Sequence, residues 1–199
     1  MPLVSLKISK KDWSDQELVE SIAKQNVAAF DEFCSRHHQS LYHFLYRIVQ
    51  KNELVEEIVN DALFVVWQKA DSFQGQSKPT TWLFGIAYNK AMKALNRLHR
   101  IPENEAAELV DDHEADHAPP DKTVEQEQLR KLILSSLSEL SPEHRAVVEL
   151  TYFNGYSCAE ISEIIGCPVN TVKTRMFHAR AKLKKLLAAL VTNGSITYD

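Results

Sequence analysis

The chain has 199 residues, 44% of them hydrophobic, enough apolar material for one domain or two small ones. Its formal net charge of −4 does not by itself announce a nucleic-acid binder, and its three widely spaced cysteines, Cys34, Cys158 and Cys167, argue against a disulfide framework or a zinc site and for reduced thiols. No run approaches the roughly 18 apolar residues of a membrane helix, and the N-terminus lacks the apolar core of a signal peptide, so a soluble cytoplasmic protein is expected. Charge is segregated rather than spread. Residues 101–127 hold ten acidic side chains and one lysine, whereas residues 169–186 hold six Lys or Arg and no acid. Such asymmetry says more than the total.

Ser14-Asp15-Gln16-Glu17 has the form of a capping box and predicts a helix over 15–24. Phe30, Phe33, Cys34, Leu41, Phe44, Leu45 and Ile48 recur at spacings of three and four and predict a second helix over 27–49. A third, over 52–70, has an apolar stripe of Val55, Ile58, Val59, Ala62, Leu63, Val66 and Trp67. Its other face carries Glu53, Glu56, Glu57, Asn60, Asp61, Phe64 and Gln68. Carboxylates of this kind ordinarily make a solvated face, but a bulky apolar Phe64 among them fits a docking patch. A loop over 71–79 contains Gly75 and Pro79. The next helix, over 80–100, turns Leu83, Ile86, Ala87, Ala91, Ala94, Leu95 and Leu98 inward. Asn89, Lys93, Asn96, Arg97 and Arg100 fall on the opposite side, flanked by Lys90. Cations with interleaved amides suit phosphates and base edges, although a basic helix end is often no more than soluble surface.

Residues 101–124 read as a flexible acidic linker, with Pro119-Pro120 breaking any helix and little to bury. His113 and His117 have helical spacing but no third ligand, so no metal or other cofactor is expected. A second domain follows over 125–190. Leu129, Leu132, Ile133, Ser136, Leu137 and Leu140 have helical spacing, and Ser141-Pro142-Glu143 starts another helix, with serine as N-cap and proline where its missing N–H does no harm.

The segment GYSCAEISEIIGCPVNTVKTRMFHARAKLKKLL, residues 155–187, has the sequence form of a DNA-binding helix-turn-helix. Ser157-Cys158-Ala159-Glu160 is a second capping box, Ile161, Ile164 and Ile165 form the buried side of the first helix, and Gly166 suits the left-handed position that ends it. Val172, Met176, Ala179 and Leu183 turn the second helix's apolar side to the core. Lys173, Thr174, Phe177 and His178 therefore face outward near its N-terminus, the part of this motif that enters the major groove. Arg175, Arg180 and Lys182 are placed for phosphates. The bland alternative is a two-helix corner with a solvated basic helix, which an outward phenylalanine between Lys and His makes harder to accept.

At this point the chain resembles a known family. LSPEHRAVVELTYFNGYSCAEISEIIGCPVNTVKTRMFHARAKL is similar to region 4 of the extracytoplasmic function (ECF) sigma factors of bacteria, the group IV class. SDQELVESIAKQNVAAFDEFCSRHHQSLYHFLYRIV, ELVEEIVNDALFVVWQKADSF and TTWLFGIAYNKAMKALNRLHR are similar to their regions 2.1, 2.2, and 2.3 with 2.4. The match runs in order over roughly residues 14–187. The resemblance implies an all-α fold of two helical domains, region 2 over 14–100 and region 4 over 125–190, joined by the acidic linker. It implies an alternative sigma factor that binds core RNA polymerase at the β′ clamp helices and the β flap and recognises −10 and −35 elements. That factor would start transcription of a stress- or envelope-type regulon.

Carried over by residue, the resemblance implies that Glu57, Asn60, Asp61 and Phe64 dock on polymerase. Asn89, Lys90, Lys93 and Arg97, with Gln74 and Ser77 of a base-capturing loop, would meet the −10 element. Lys173, Thr174, Phe177, His178, Arg175 and Arg180 would meet the −35 element. The acidic linker, with Asp111, Asp112, Glu114 and Asp116, would thread the RNA exit path, and an anti-sigma factor, often membrane-anchored, is an expected partner. Tyr88, Lys93 and Asn96 stand where the family usually has Arg, Asp and Arg. Val65 replaces a common basic residue, Asn170 a usual Gly, and His178 a usual Arg, departures that bear on promoter sequence rather than class. A sigma-like decoy would tend to lose the basic faces this chain keeps. A plain helix-turn-helix regulator would leave the region 2 pattern unused. An enzyme would need a nucleophile–base pair, a phosphate loop or a metal cluster that the sequence lacks.

Overall fold

The computed structural model describes residues 13–98 and 133–192, with side chains to 188. All its regular elements are helices. At the start, Ser14 and Glu17 form the capping box, with the Ser14 amide donating to Glu17 Oε2 at 2.7 Å and the Glu17 amide to Ser14 Oγ at 3.3 Å. Helix α1 then runs Asp15–Ile22. It stops two residues short of the expected end, and the chain turns through Gln25 at φ 60 before the Asn26 side chain caps the next helix. Helix α2 spans Val27–Val49 and ends on a left-handed Gln50 whose amide donates to the Tyr46 carbonyl at 2.9 Å. Helix α3 spans Asn52–Lys69 and tightens into a 3₁₀ turn over Ala70–Ser72, which replaces the last residue of the expected helix.

Helix α4 spans Pro79–Leu98 within the described residues. In the second half, residues 133–138 are helical. Helix α5 follows over Pro142–Tyr152, capped by Ser141, with the proline at the start as expected. Helix α6 covers Cys158–Ile165 and α7 covers Val169–Thr192. Residues 101–124, Leu129 and Leu132, where the linker and the first turns of the second domain were expected, lie outside the described residues.

The first half packs around Phe33, Leu41, Phe44, Leu45, Ile48, Val55, Val59, Ala62, Leu83 and Ala87, all essentially solvent-free. Burying each large apolar side chain contributes roughly 1.5–3 kcal/mol before entropy is set against it. The second half buries Ala146, Val147, Leu150, Ile161, Ile164, Val172 and Ala179. These sets join into one continuous core rather than two.

The joint corrects the expected inward face of α4. Phe84 and Tyr88, outside the predicted stripe, are only 2% and 5% exposed, while Ile86, Ala94, Leu95 and Leu98 are only half-buried. The second half is what covers the first pair. The Phe84 ring lies 5.0 Å from that of Phe44 and meets Tyr156 edge-on at 5.5 Å. Next to it, a Cβ at Gly85 would stand 3.5 Å from the Ile164 carbonyl of α6, so this position holds nothing much larger than alanine. On the other side, α5 lies on α2, where Arg47 Nη1 meets both carboxylate oxygens of Glu149 at 2.6 and 2.7 Å.

Candidate nucleic-acid interface

On α3 the apolar stripe is buried through Val66, which leaves Glu57, Asn60, Asp61 and Phe64 on the exposed face. Phe64 is 55% exposed, against 5% for its neighbour Leu63. Asp61 is already engaged, since Lys90 of α4 reaches it with Nζ at 2.8 Å. The residue expected at the −10 element and one expected at polymerase therefore share an ion pair. Asn89, Lys93 and Arg97, at successive four-residue steps along α4, are exposed.

The loop between α3 and α4 is organised by aromatic contact. Phe73 lies 5.0 Å from Trp82, Gly75 takes φ +68, and Gln76 Nε2 donates to Gln74 Oε1 at 3.0 Å. A cleft of about 520 Å³ opens beside it, lined by Ser77, Lys78 and Thr81 on one wall and Glu160 and Glu163 of α6 on the other. Lys78 Nζ closes one end on Glu160 Oε1 at 2.8 Å.

The helix-turn-helix is pinned by its ends. Glu160 Oε2 accepts from the Ser157 amide at 2.9 Å and from the Ser157 hydroxyl at 2.8 Å. The Lys78 hydrogen bond, followed by those from Ser157, pulls the Glu160 carboxyl down to about 2. Gly166 ends α6 at φ 65, a conformation that disfavours any Cβ. Ser162 Oγ then donates to the Cys167 carbonyl at 2.6 Å and ties the turn shut. Beyond the turn, Val172, Met176 and Ala179 are buried, and Lys173, Thr174, Phe177 and His178 share the opposite exposed face of α7, with Phe177 70% exposed. The Thr174 hydroxyl donates to the Asn170 carbonyl at 2.9 Å, which leaves its oxygen as acceptor.

Two further cations of α7 have protein partners. Arg180 Nε donates to the Tyr152 hydroxyl at 2.7 Å, and Lys182 donates to the Glu139 carbonyl. Arg175 is half-buried, and its charge partly opposes the upward push of burial on the Tyr88 phenol of α4. His178 meets His144 of α5 edge-on at 6.4 Å, and His144 Nδ1 shares a 2.7 Å hydrogen bond with Ser141 Oγ. Burial, opposed by the Glu143 charge and helped by Arg175 and Lys182, holds the His144 imidazole below its ordinary range.

The structure thus gathers the α7 candidates on one face and the α4 candidates on another. It also joins the two halves of the chain, through Phe84–Tyr156 and Lys78–Glu160, contacts that helical periodicity cannot reveal. Glu160 carried one signal, its place in a capping box, and that signal accounts for only one of its two oxygens. The three cysteines are free. Burial and the Asp31 charge push the Cys34 thiol up to about 11, far from a reactive thiolate. Among the described residues no cluster of ligating side chains could hold a metal ion, and no helix is long and apolar enough to cross a membrane.

Two family descriptions match this architecture: sigma-70 region 2 over residues 33–101 and sigma-70 region 4 over residues 130–183, together more than half the chain. The ECF RNA polymerase sigma-E factor of Haemophilus influenzae is 29% identical over 89% of this chain and 97% of its own length. The RNA polymerase sigma-H factor of Pseudomonas aeruginosa is 28% identical over 89% and 95%. Among solved structures, the sigma factor RpoE from Bartonella quintana, in complex with the anti-sigma factor NepR, matches with a TM-score of 0.66 and 25% identity over 80% of this chain and 96% of that one. CnrH in complex with the cytosolic domain of CnrY matches with a TM-score of 0.65 and 26% identity over 88% and 97%. The chain belongs to the ECF class of the sigma-70 family. It acts as an alternative sigma factor, which binds core RNA polymerase, recognises promoter −10 and −35 elements and initiates transcription.

Proposed function

We propose that the sigma activity divides among three surfaces. Phe64, with Glu57, Asn60 and Asp61, docks on the β′ clamp helices of core polymerase, while region 4 meets the β flap. Asn89, Lys90, Lys93 and Arg97, with Gln74 and Ser77 of the loop, engage the −10 element. Extruding a base there costs a few kcal/mol, offset by pocket contacts. Lys173, Thr174, Phe177 and His178 read the −35 element, where Phe177 can cover a thymine methyl and Lys173 a base edge or phosphate. Arg175 and, once released from Tyr152, Arg180 serve phosphates. The single observation that carries this reading is the 70% exposure of Phe177 between Lys173 and His178 on the second helix of a helix-turn-helix. Relatives solved with NepR and with a cytosolic domain of CnrY support an anti-sigma partner for this chain, acting in the cytoplasm or tethered at the inner membrane.

Run-off transcription with purified core polymerase and a promoter library tests the whole assignment. Phe64→Ala should lose complex formation on a sizing column with its helical content intact. Lys173→Ala and Phe177→Ala should lose −35-dependent transcripts only. Equal activity on promoters with scrambled −35 elements would remove the α7 assignment.

A further inference from the structure

Arg47 and Glu149 are 102 positions apart in sequence and meet across the joint between the halves. Glu149 is 3% exposed and lies on α5 between the buried Val148 and Leu150. It takes both its carboxylate hydrogen bonds from a single nitrogen of α2. The Arg47 guanidinium is held in turn, lying 3.8 Å over the Phe153 ring. Arg145, 8% exposed, donates to the Arg47 carbonyl at 3.4 Å. The joint is therefore built around buried charge, and all of it returns to water if the halves separate.

Two features give this cluster a specific meaning. First, a buried ion pair barely repays its own desolvation, yet a buried charge without its partner is strongly unfavourable. Such a pair selects one arrangement without making it very stable. Phe84 against Tyr156 and α4 against Ile164 supply apolar adhesion, and the pair dictates which docking is allowed. The other cross-joint ion pair, Lys78–Glu160, has a 72% exposed lysine, and exposed pairs contribute little.

Second, the closed arrangement is incompatible with reading a promoter. Elements at −10 and −35 lie about 25 base pairs, or roughly 85 Å, apart at about 3.4 Å per step. Here the halves are packed together instead, with Phe84 of α4 on Tyr156 and Gly85 against Ile164 of α6. The cleft beside the 73–79 loop is walled off by Glu160 and Glu163 of α6.

The geometry points to the Arg47–Glu149 pair as an intramolecular lock that holds the free chain closed and that a partner must open before both promoter surfaces can act. Its promoter consequence rests on the DNA-facing reading above; the lock itself does not. A pair that contributes specificity more than strength suits this duty, because wrong dockings are rejected while the cost of opening is left to the shared apolar contacts.

The test is small-angle scattering on the full-length chain, free of polymerase, with circular dichroism as the control for folding. Glu149→Lys and Arg47→Glu each set like charges across the joint and should raise the radius of gyration with helical content unchanged. The exchanged double variant, Arg47→Glu with Glu149→Arg, should return it to the wild-type value. Should Glu149→Lys lose helical content, Arg47→Glu alone carries the readout. Single variants that scatter as wild type, or an exchange that does not restore compactness, would overturn the lock. In a parallel binding measurement on a promoter duplex, the opened variants should gain about tenfold in affinity if some nine-tenths of the free chain is closed. Expansion and restoration without that gain would uphold the lock and count against the DNA-facing assignment instead.

Discussion

The two halves of this sigma factor reach stability by different means. The first half is held by volume: nine of the twelve largest fully buried side chains belong to it, Phe33 and Phe44 foremost. The second is held by its ends. Ser141, Ser157 and Glu160 cap its helices and Gly166 turns the chain between them. It also borrows core from the first half, because Phe84 links Phe44 to Tyr156. A promoter-reading module that must move gains from this arrangement, since local caps survive separation and a shared core does not.

The largest expected effect tests whether the core is shared. Phe44→Ala should cost about 3–5 kcal/mol, and if the halves are coupled through Phe84 it should lower the thermal midpoint of the region 4 helices as well. Hydrogen exchange confined to α1–α4 would break the comparison. Next in size, Gly166→Ala should cost about 1–2 kcal/mol through its left-handed backbone alone, since no atom lies within 4 Å of the added methyl. Amide exchange should then rise in α6 and α7 but not in α2. Ser157→Ala removes a cap worth about 1 kcal/mol and should fray the start of α6, visible in the same experiment.

Phe177→Ala should change stability by less than about 0.5 kcal/mol, as an exposed substitution does, while abolishing −35-dependent transcription. A clear drop in melting temperature would place that ring in the fold rather than at the DNA.

The smallest effect is a pH dependence of the joint. Burial outweighs the Arg47 hydrogen bond and charge and pushes the Glu149 carboxyl up to about 7, from an ordinary 4.5. The groups around it are Arg47 of α2, with Arg145 and Phe153 on its own side. Because the closed chain binds the proton more tightly than the open one, closure is firmest below about pH 4.5 and loosens as pH rises through 7. Scattering at pH 5 and pH 8 should differ in the wild type, and Glu149→Gln should reduce that difference.

Much of this molecule was legible before any coordinates. The boundaries of α2, both capping boxes, the Gly166 turn and the outward face of α7 all follow from signals within a few residues of one another, as helices and their caps do. Phe64 could be picked out because an apolar residue among carboxylates breaks its own pattern. The structure corrected the reading where the pattern was intact but the environment was not. Phe84 and Tyr88 lie beside the expected stripe of α4, and only the arrival of α6 and α7 makes that side an interior. Glu149 and Arg47 look like ordinary polar positions on amphipathic helices, so nothing in their neighbourhoods marks them as partners.

The sequence by itself determined the helices and the outward faces of α3 and α7, because those properties are set by spacings of three and four residues, while the two sigma regions and their chemistry came from its resemblance to a known family. Only the tertiary structure decided that the two regions close on each other, that Lys78 is occupied in that state, and that a buried carboxylate defines the docking. The physical reason is that burial of a charge depends on what covers it, and here the cover comes from more than a hundred residues away.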